Sequence, residues 1–182
     1  MLLRGLKILL LIQLGYLVIV NLALQIPITQ DVVNMVRPHK FQVQWENAWS
    51  WYPFRVHARG VSANGQSRSQ QWQVDVQAAS GSVSVLPLIL KRVYVRGIKV
   101  SGVEYRQRPR LKPDKDYTDQ LAYFPEIDNR EVAPADTSPR KKKRPWKVWI
   151  TNARSDGDVR LWIYNLQGSL SGSAVADLAI ES

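Results

Sequence analysis

The sequence contains no cysteine and only two histidines, and these shortages exclude several kinds of chemistry. Without cysteine there is no disulfide framework, no thiol nucleophile and no cysteine-ligated zinc site. The histidines, His39 and His57, do not have the spacing of metal ligands and have no obvious chemical partner nearby in the sequence. A glycine-rich phosphate-binding loop is missing as well. We therefore predict that the protein uses neither a metal ion nor a cofactor.

Acidic side chains are the remaining candidates for catalysis, and they collect in one segment of the chain. Paired carboxylates can bind a cation or act as general acid and base, but nothing in this segment holds them at a fixed spacing. We predict that they are solvated and that the protein is not an enzyme. The acidic residues concerned are Asp114, Asp116, Asp119, Glu126, Asp128 and Glu131.

Charged side chains are also missing from a long N-terminal stretch, residues 8–30, ILLLIQLGYLVIVNLALQIPITQ. About 20 apolar residues in a helix cross the hydrocarbon core of a bilayer, so this stretch is predicted to be a transmembrane helix. Arg4 and Lys7 precede it, which predicts a cytoplasmic stub of residues 1–7 and a body on the far side of the membrane. A cleaved signal peptide is the alternative, although its apolar region is normally about 7–15 residues long.

After the helix the pattern changes to an alternation of apolar and polar residues, which is typical of antiparallel strands with one apolar face. Clear alternation covers residues 41–45, 54–58 and 72–78, with a turn signal at Asn64-Gly65. The aromatic cluster of Trp45, Trp49, Trp51 and Tyr52 fits either an interfacial belt at the membrane surface or a cap over the end of the sheet. Residues 31–103 are predicted to form the first part of a β-sheet.

The stretch SVSVLPLILKRVYVRGIKVSGVEYR, residues 82–106, interrupts this alternation in two ways. Pro87 has no backbone N–H to donate to a neighbouring strand. Residues 86–90 are therefore predicted to be an apolar elbow rather than a central strand. The apolar residues then change parity at Arg96-Gly97 and again at Ser101-Gly102, and each change requires a bulge or bend. Glycine permits the backbone dihedrals of such bends. The pattern predicts a curved, twisted antiparallel sheet whose concave side is a core or an open groove.

Residues 104–147 hold six of the ten prolines and many charges, so we predict a mobile loop with a short helix near residues 119–123. The net charge of the chain is +10, which suits anionic partners. The basic run within the loop is either solvated or in contact with anionic lipid headgroups, and an extracytoplasmic body disfavours nucleic acid. The run consists of Arg140, Lys141, Lys142, Lys143 and Arg144.

Alternation returns in residues 148–182, the second part of the sheet, and is still running at the last residue. We predict that further strands follow in a longer protein. An exposed last strand of this kind can pair with a partner protein by strand addition.

The N-terminal anchor, SVSVLPLILKRVYVRGIKVSG, the charged insertion and KVWITNARSDGDVRLWIYNLQGSLSGSAVADLAI together resemble the beginning of AsmA-like proteins, including TamB-like members. The resemblance implies a Gram-negative envelope protein held in the inner membrane by one helix, with its body in the periplasm. It also implies a β-groove, similar to that of bridge-like lipid transfer proteins, that carries phospholipid or supports outer-membrane assembly. The family has no catalytic residues to transfer.

Two functions follow from these observations. The first is a membrane-anchored groove for phospholipid acyl chains, with the bilayer as partner and phospholipid as cargo. The second is a membrane-anchored scaffold that binds another envelope protein through its last strand and carries no lipid. The groove lining predicted from strand parity consists of Val74, Val76, Val93, Val95, Ile98, Val100, Leu161 and Ile163.

Overall fold

The computed structural model describes residues 2–35, 41–84, 92–111, 116–128 and 147–181. The fold is mainly β, with one long apolar helix at the N-terminus. The helices are α1 (Leu2–Gln25), α2 (Pro27–Met35) and α3 (Thr118–Leu121). The strands are β1 (Phe41–Tyr52), β2 (Arg55–Gln66), β3 (Gln70–Ser84), β4 (Arg92–Pro109), β5 (Lys147–Ile163) and β6 (Leu166–Glu181).

The apolar N-terminal stretch forms two helices rather than the single predicted one. Within α1, the segment Arg4–Gln25 is 22 residues long with a mean hydropathy of 2.1, and no part of its most apolar window is buried in the fold. It is long and apolar enough to cross a membrane. The chain bends at Ile26, and α2 begins at Pro27 because proline lacks the backbone N–H that a continuing helix requires.

The six strands form one sheet in sequence order, β1-β2-β3-β4-β5-β6. Adjacent strands are antiparallel except for β4 and β5, which are parallel. The sheet is therefore mixed, and the prediction of a wholly antiparallel sheet is wrong at this pair. Parallel neighbours need a crossover of a dozen or more residues, and the charged segment predicted as a loop supplies that connection. The described sheet is not closed on itself, and a curled groove stays a prediction.

The two glycine bends predicted in β4 are both present. Gly97 and Gly102 have φ angles of 60°, in the left-handed region that favours glycine. The β3–β4 register shifts between Ser80 and Ser82, opposite Gly97, and the β4–β5 register shifts between Ser101 and Val103. The first shift adds one residue to β4 and is the bulge that the parity change at Arg96-Gly97 requires. The second shift adds its residue to β5, so β4 bends at Gly102 without a compensating bulge of its own. The predicted elbow at residues 86–90 lies outside the described residues.

The segment predicted as a mobile loop, residues 104–147, is partly regular structure. β4 continues to Pro109, so its first six residues belong to the sheet. The predicted helix at residues 119–123 is a single turn, α3, that lies slightly earlier in the chain. Residues 124–128 then pack on the sheet, because arginine side chains of β4 donate hydrogen bonds to the carbonyls of Pro125 and Glu126.

Polar side chains of the helices bind the outer edge of β1. The Asn21 side chain donates to the Ser50 carbonyl at 3.0 Å and accepts from the Ser50 amide at 2.8 Å. Asn34 makes the same pair of bonds with Val43, at 3.0 and 2.8 Å. Gln13 adds a bond to a further β1 carbonyl, as does Gln30. An edge strand otherwise presents unpaired backbone groups, so this contact explains polar residues within an otherwise apolar helical segment.

Candidate functional site

One side of the sheet carries a continuous apolar surface, which we call the apolar face. Residues directly opposite each other on paired strands share a face, and so do residues two apart along one strand. Three such rows cross all six strands. The first holds Phe41, Gly65, Trp72, Gln107, Ile163 and Leu166; the second holds Val43, Ala63, Val74, Tyr105, Leu161 and Gly168; the third holds Trp45, Val61, Val76, Val103, Val159 and Leu170.

The rows on the opposite side, the polar face, have a contrasting composition. Only Trp162 is apolar among their twelve members. The two rows are Gln42, Asn64, Gln73, Arg106, Trp162 and Gln167, and Gln44, Ser62, Asp75, Glu104, Arg160 and Ser169. The sheet is thus strongly amphipathic at the end that carries the β2–β3 turn.

The polar face is covered by the segment that follows α3. The Gln73 side chain donates to Asp128 Oδ2 at 2.8 Å and accepts from the Asp128 amide at 2.8 Å. Pro125 and Ile127 are buried in this segment, and Gln73 itself is almost completely buried. A buried amide side chain is stable only when its donors and acceptors are paired, and these bonds meet that requirement. The central part of the polar face is therefore packed, whereas Gln44 on β1 and Arg160 on β5 are exposed.

Asp75 is at the centre of the polar network. Burial raises the pKa of its carboxyl, but hydrogen bonds from Ser62, Gln73 and Arg106, together with the Arg106 charge, outweigh burial and bring the pKa below its usual value. Arg106 also lies 3.5 Å from Glu104. The ionised carboxylate is the form that the fold stabilises.

The lowered Asp75 pKa predicts a loss of stability in acid. Its contribution is complete above the ordinary aspartate pKa of about 3.9 and is lost as the pH falls through the lower folded-state pKa. Asp75→Asn is expected to lower the free energy of unfolding at pH 7 by about 1–3 kcal/mol. Denaturant titrations of both proteins in detergent at pH 7 and pH 3 measure the effect. If the free energies of unfolding of the two proteins differed by the same amount at pH 7 and at pH 3, the assignment would be contradicted.

The apolar face, in contrast, is open within the described part of the chain. The helices pack against β1, the segment after α3 packs on the polar face, and no described helix or strand is stacked over the three rows. Leu166 is 71% exposed and Leu170 is 63% exposed. Trp45, in the third row, donates from its indole nitrogen to the Leu24 carbonyl at 2.9 Å. The apolar face therefore meets the apolar helix α1 at one corner.

The predicted lining residues are divided between different places. Val74 and Val76, with Leu161 and Ile163, lie on the apolar face. Val100 is opposite Ala79, which lies three residues from Val76 along β3. Because an odd step reverses the direction of a side chain in a strand, Val100 lies on the other side of the sheet.

Two further lining candidates share that second location. A Cβ placed on Gly81 would lie 3.3 Å from Ile98 Cγ1 and 3.6 Å from Val95 Cγ1, so both side chains cover this glycine. The single lining set is therefore wrong, because no extra residue in β4 compensates the parity change at Gly102, and the apolar residues change sides of the sheet there. The side chain of Val93 lies outside the described residues.

Several members of the apolar face were not among the predicted lining residues. Trp45, Val61, Val103, Val159 and Leu170 lie in the third row together with Val76, and none of these five was predicted to line the groove. Alternation within each strand was visible in the sequence, but the register between strands was not. The parallel β4–β5 pair, which brings Val103 opposite Val159, had no signal in the local pattern.

A basic pocket adjoins the apolar face, with a volume of about 310 Å³. Its lining includes His57 and Arg59 from β2, Lys99 from β4, and Trp49 from β1. The Arg59 guanidinium carbon lies 5.5 Å from the centre of the Trp49 ring, and Trp49 stacks on His57 at 5.7 Å. Asp156 also lines the pocket. Among the described residues, neither Arg59 nor Lys99 forms an ion pair.

The other predicted charged groups give no second site. The basic run from Arg140 to Arg144 lies outside the described residues, so its contact with headgroups stays a prediction. Of the acidic candidates, Asp128 is bound to Gln73, and Asp114 and Glu131 lie outside the described residues. Within the described ranges, no group of three His, Asp or Glu side chains is arranged to hold a metal ion.

Comparisons with known proteins give no family assignment. No protein-family model, no curated protein and no solved structure matches this chain. The class that the fold itself defines is a six-stranded amphipathic sheet bound along one edge to a helix able to span a membrane.

Proposed function

We propose that this protein is anchored in a membrane by α1 and binds phospholipid acyl chains on its apolar face. The observation that carries the proposal is the open three-row surface, which meets the exposed apolar helix at Trp45. Rows one and three are four residues apart, or about 13 Å, and β1 to β6 span about 24 Å. The largest apolar patches on soluble proteins are of this scale and are often functional.

The energetics favour an acyl chain as the occupant. Each methylene moved from water onto an apolar surface contributes up to about 0.8 kcal/mol, and an extended chain can cross several strands. The centre of the polar face is covered by its own hydrogen-bonded segment, and its remaining side chains are polar, so the apolar face is the better side for an acyl chain. An acyl chain that lies on this open face leaves its headgroup in water.

The basic pocket gives the headgroup a place to bind. Lys99 and Arg59 supply positive charge at the end of the apolar face that is nearer the β1–β2 hairpin. A phosphate group placed there gains charge-assisted hydrogen bonds, while the acyl chains extend over the three rows.

The cellular role follows from the resemblance to AsmA-like proteins. We place α1 in the inner membrane of a Gram-negative envelope, with Arg4 and Lys7 on the cytoplasmic side and the sheet in the periplasm. The proposed role is phospholipid transport toward the outer membrane or support of outer-membrane assembly. No residue of the described sheet has a catalytic part in this role.

Photocrosslinking tests the proposal without interference from lipid around α1. A benzoylphenylalanine at position 170, on the apolar face, is expected to crosslink to radiolabelled phospholipid after reconstitution and detergent extraction. The matched probe at position 169 is on the adjacent residue of the polar face and is expected to give a background signal. Equal crosslinking from both positions would show that the apolar face has no special affinity for lipid.

The basic pocket carries a separate prediction about headgroup charge. Arg59→Gln combined with Lys99→Gln is expected to reduce crosslinking of an anionic phospholipid from position 170 by roughly 3- to 10-fold, because two charge-assisted contacts are lost. Crosslinking of a zwitterionic lipid should change less. Unchanged crosslinking of the anionic lipid would place the headgroup elsewhere.

A second function has its own structural support. The outer edge of β6, a strand of 16 residues, has no partner strand in the described sheet. Such an edge can bind another protein by strand addition, as the scaffold hypothesis requires. Copurification of a stoichiometric protein partner, with no lipid crosslinked at position 170, would favour the scaffold over the lipid-binding role.

A further inference from the structure

The turn between β1 and β2 exposes three aromatic side chains, which we call the aromatic tip. Trp51 is 62% exposed, Tyr52 is 68% exposed and Phe54 is 54% exposed. Aromatic residues are normally at least half buried in a soluble domain because their burial is a large source of stability. Three adjacent exposed rings at one end of a sheet therefore indicate a binding surface.

The backbone at Phe54 supports this interpretation. Its φ angle is 68°, in the left-handed region where glycine or asparagine is favoured and a bulky side chain is strained. Tyr52 and Arg55 are paired, so Phe54 occupies a tight two-residue turn after Pro53. The geometry of the turn would be satisfied better by glycine. A bulky ring at this position therefore costs backbone strain, and such strain is commonly found at functional positions.

Hydrogen bonds place the aromatic tip beside the middle of α1. The Gln13 side chain donates to the Trp51 carbonyl at 3.1 Å, and the Tyr16 hydroxyl donates to the Tyr52 carbonyl at 3.2 Å. The Phe54 amide donates to the Tyr16 hydroxyl at 3.2 Å. β1 therefore runs antiparallel to α1. Measured along the helix axis at about 1.5 Å per residue, the end of β1 lies about 16 Å closer to the helix N-terminus than the contact between Trp45 and Leu24 does.

We propose that the aromatic tip enters the leaflet from which α1 emerges, so that the sheet is held on the bilayer at a second point. A helix that crosses the membrane between Arg4 and Gln25 carries anything bound beside Gln13 and Tyr16 below the membrane surface. Tyrosine and tryptophan rings favour the boundary between acyl chains and headgroups. The inference goes beyond lipid binding on the sheet and depends only on α1 spanning the membrane.

Two arginines limit the depth of the insertion. Ser82 of β3 is paired with Arg55 on the neighbouring strand β2 and with Arg96 on the neighbouring strand β4. Both arginine side chains are exposed. Neither forms an ion pair with a described carboxylate. Their stems can lie along apolar surface while the guanidinium groups reach lipid phosphates. Gln13 and Tyr16 lie near the middle of the span Arg4–Gln25. The tip therefore reaches the boundary of acyl chains and headgroups only where the bilayer becomes thinner around the protein, and this thinning is part of the proposal.

The absence of cysteine allows a direct test of depth. The full chain carrying Phe54→Cys is labelled with an environment-sensitive fluorophore and reconstituted into phosphatidylethanolamine–phosphatidylglycerol vesicles. The matched control is Arg68→Cys, in the β2–β3 turn at the opposite end of the sheet. At position 54 we expect quenching by spin-labelled lipid and protection from aqueous iodide; at position 68 we expect the reverse. Equal iodide quenching at the two positions would overturn the proposal.

A second pair of variants tests whether a substitution at position 54 acts by disturbing the turn itself. A label at Trp51→Cys is expected to report the same depth, and adding Phe54→Gly should reduce its quenching by lipid at least twofold. Phe54→Gly removes the left-handed strain, so the denaturation midpoint should be unchanged or raised. A lowered midpoint would mean that the ring serves folding and would refute its membrane role. Crosslinking at position 170 is independent of these outcomes and tests the proposed function separately.

Discussion

Replacing Asn21 with leucine is expected to open the edge of the sheet at Ser50, with the largest loss of stability among the single substitutions considered. The Asn21 amide pairs with both the N–H and the carbonyl of Ser50, and Ser50 is almost fully buried. Leucine leaves both backbone groups without a partner. The cost is about 2–4 kcal/mol, since each unsatisfied buried group costs about 1–3 kcal/mol.

Hydrogen–deuterium exchange at the Ser50 amide is the appropriate measurement. A loss of 2 kcal/mol corresponds to exchange that is roughly 30-fold faster, since about 1.4 kcal/mol is a factor of ten. Leu22→Ala is a matched control because Leu22 is the next residue and is exposed. Asn21→Leu also makes α1 more apolar, so weaker anchoring cannot explain the effect. Unchanged exchange at Ser50 would show that the edge bond contributes little to stability.

Placing a carboxylate on the apolar face is expected to abolish most lipid binding. Leu170 is exposed on the last described strand, so Leu170→Glu removes little packing and leaves the sheet folded. The charge would have to lose its hydration against an acyl chain, which costs several kcal/mol when it has no partner. We expect crosslinking of phospholipid by a probe at position 166 to fall at least tenfold.

The matched substitution for this experiment is Ser169→Glu, which places the same charge on the polar face one residue away. Circular dichroism of both variants should match that of the unaltered protein. If the two glutamates reduce crosslinking equally, the acyl chain does not lie on the apolar face and its open surface needs another explanation. A selective effect of Leu170→Glu would support lipid binding and weaken the scaffold alternative.

Local features of this fold were accessible from the sequence because they depend on neighbouring residues. Alternation located the strands, and two parity changes located the left-handed glycines Gly97 and Gly102, the first of which lies in a bulge of β4. The uncharged N-terminal stretch located a helix long enough for a membrane, although the break at Pro27 divides it. Each of these depends on strand pleat, glycine dihedrals or helix length, which act over short distances along the chain.

Features that join distant parts of the chain were not accessible. The parallel pairing of β4 and β5 depends on a crossover whose sequence resembles a solvated loop. The lining set failed because parity within a strand does not say which side of the sheet continues past a bulge. The role of Asn21 and Gln13 was also hidden, since a polar residue in an apolar helix has no visible partner until β1 is placed beside it.

The bonds between the helices and β1 give the sheet a direction of growth. At the β1 side, Asn21 and Asn34 occupy backbone groups that an incoming strand would need, so strand addition is terminated there. At the β6 side, the backbone edge remains a template. Any strand that joins the sheet widens the apolar face by about 4.8 Å, always at the side far from α1. Extension of this sheet therefore has one direction, beginning at α1 and proceeding away from it.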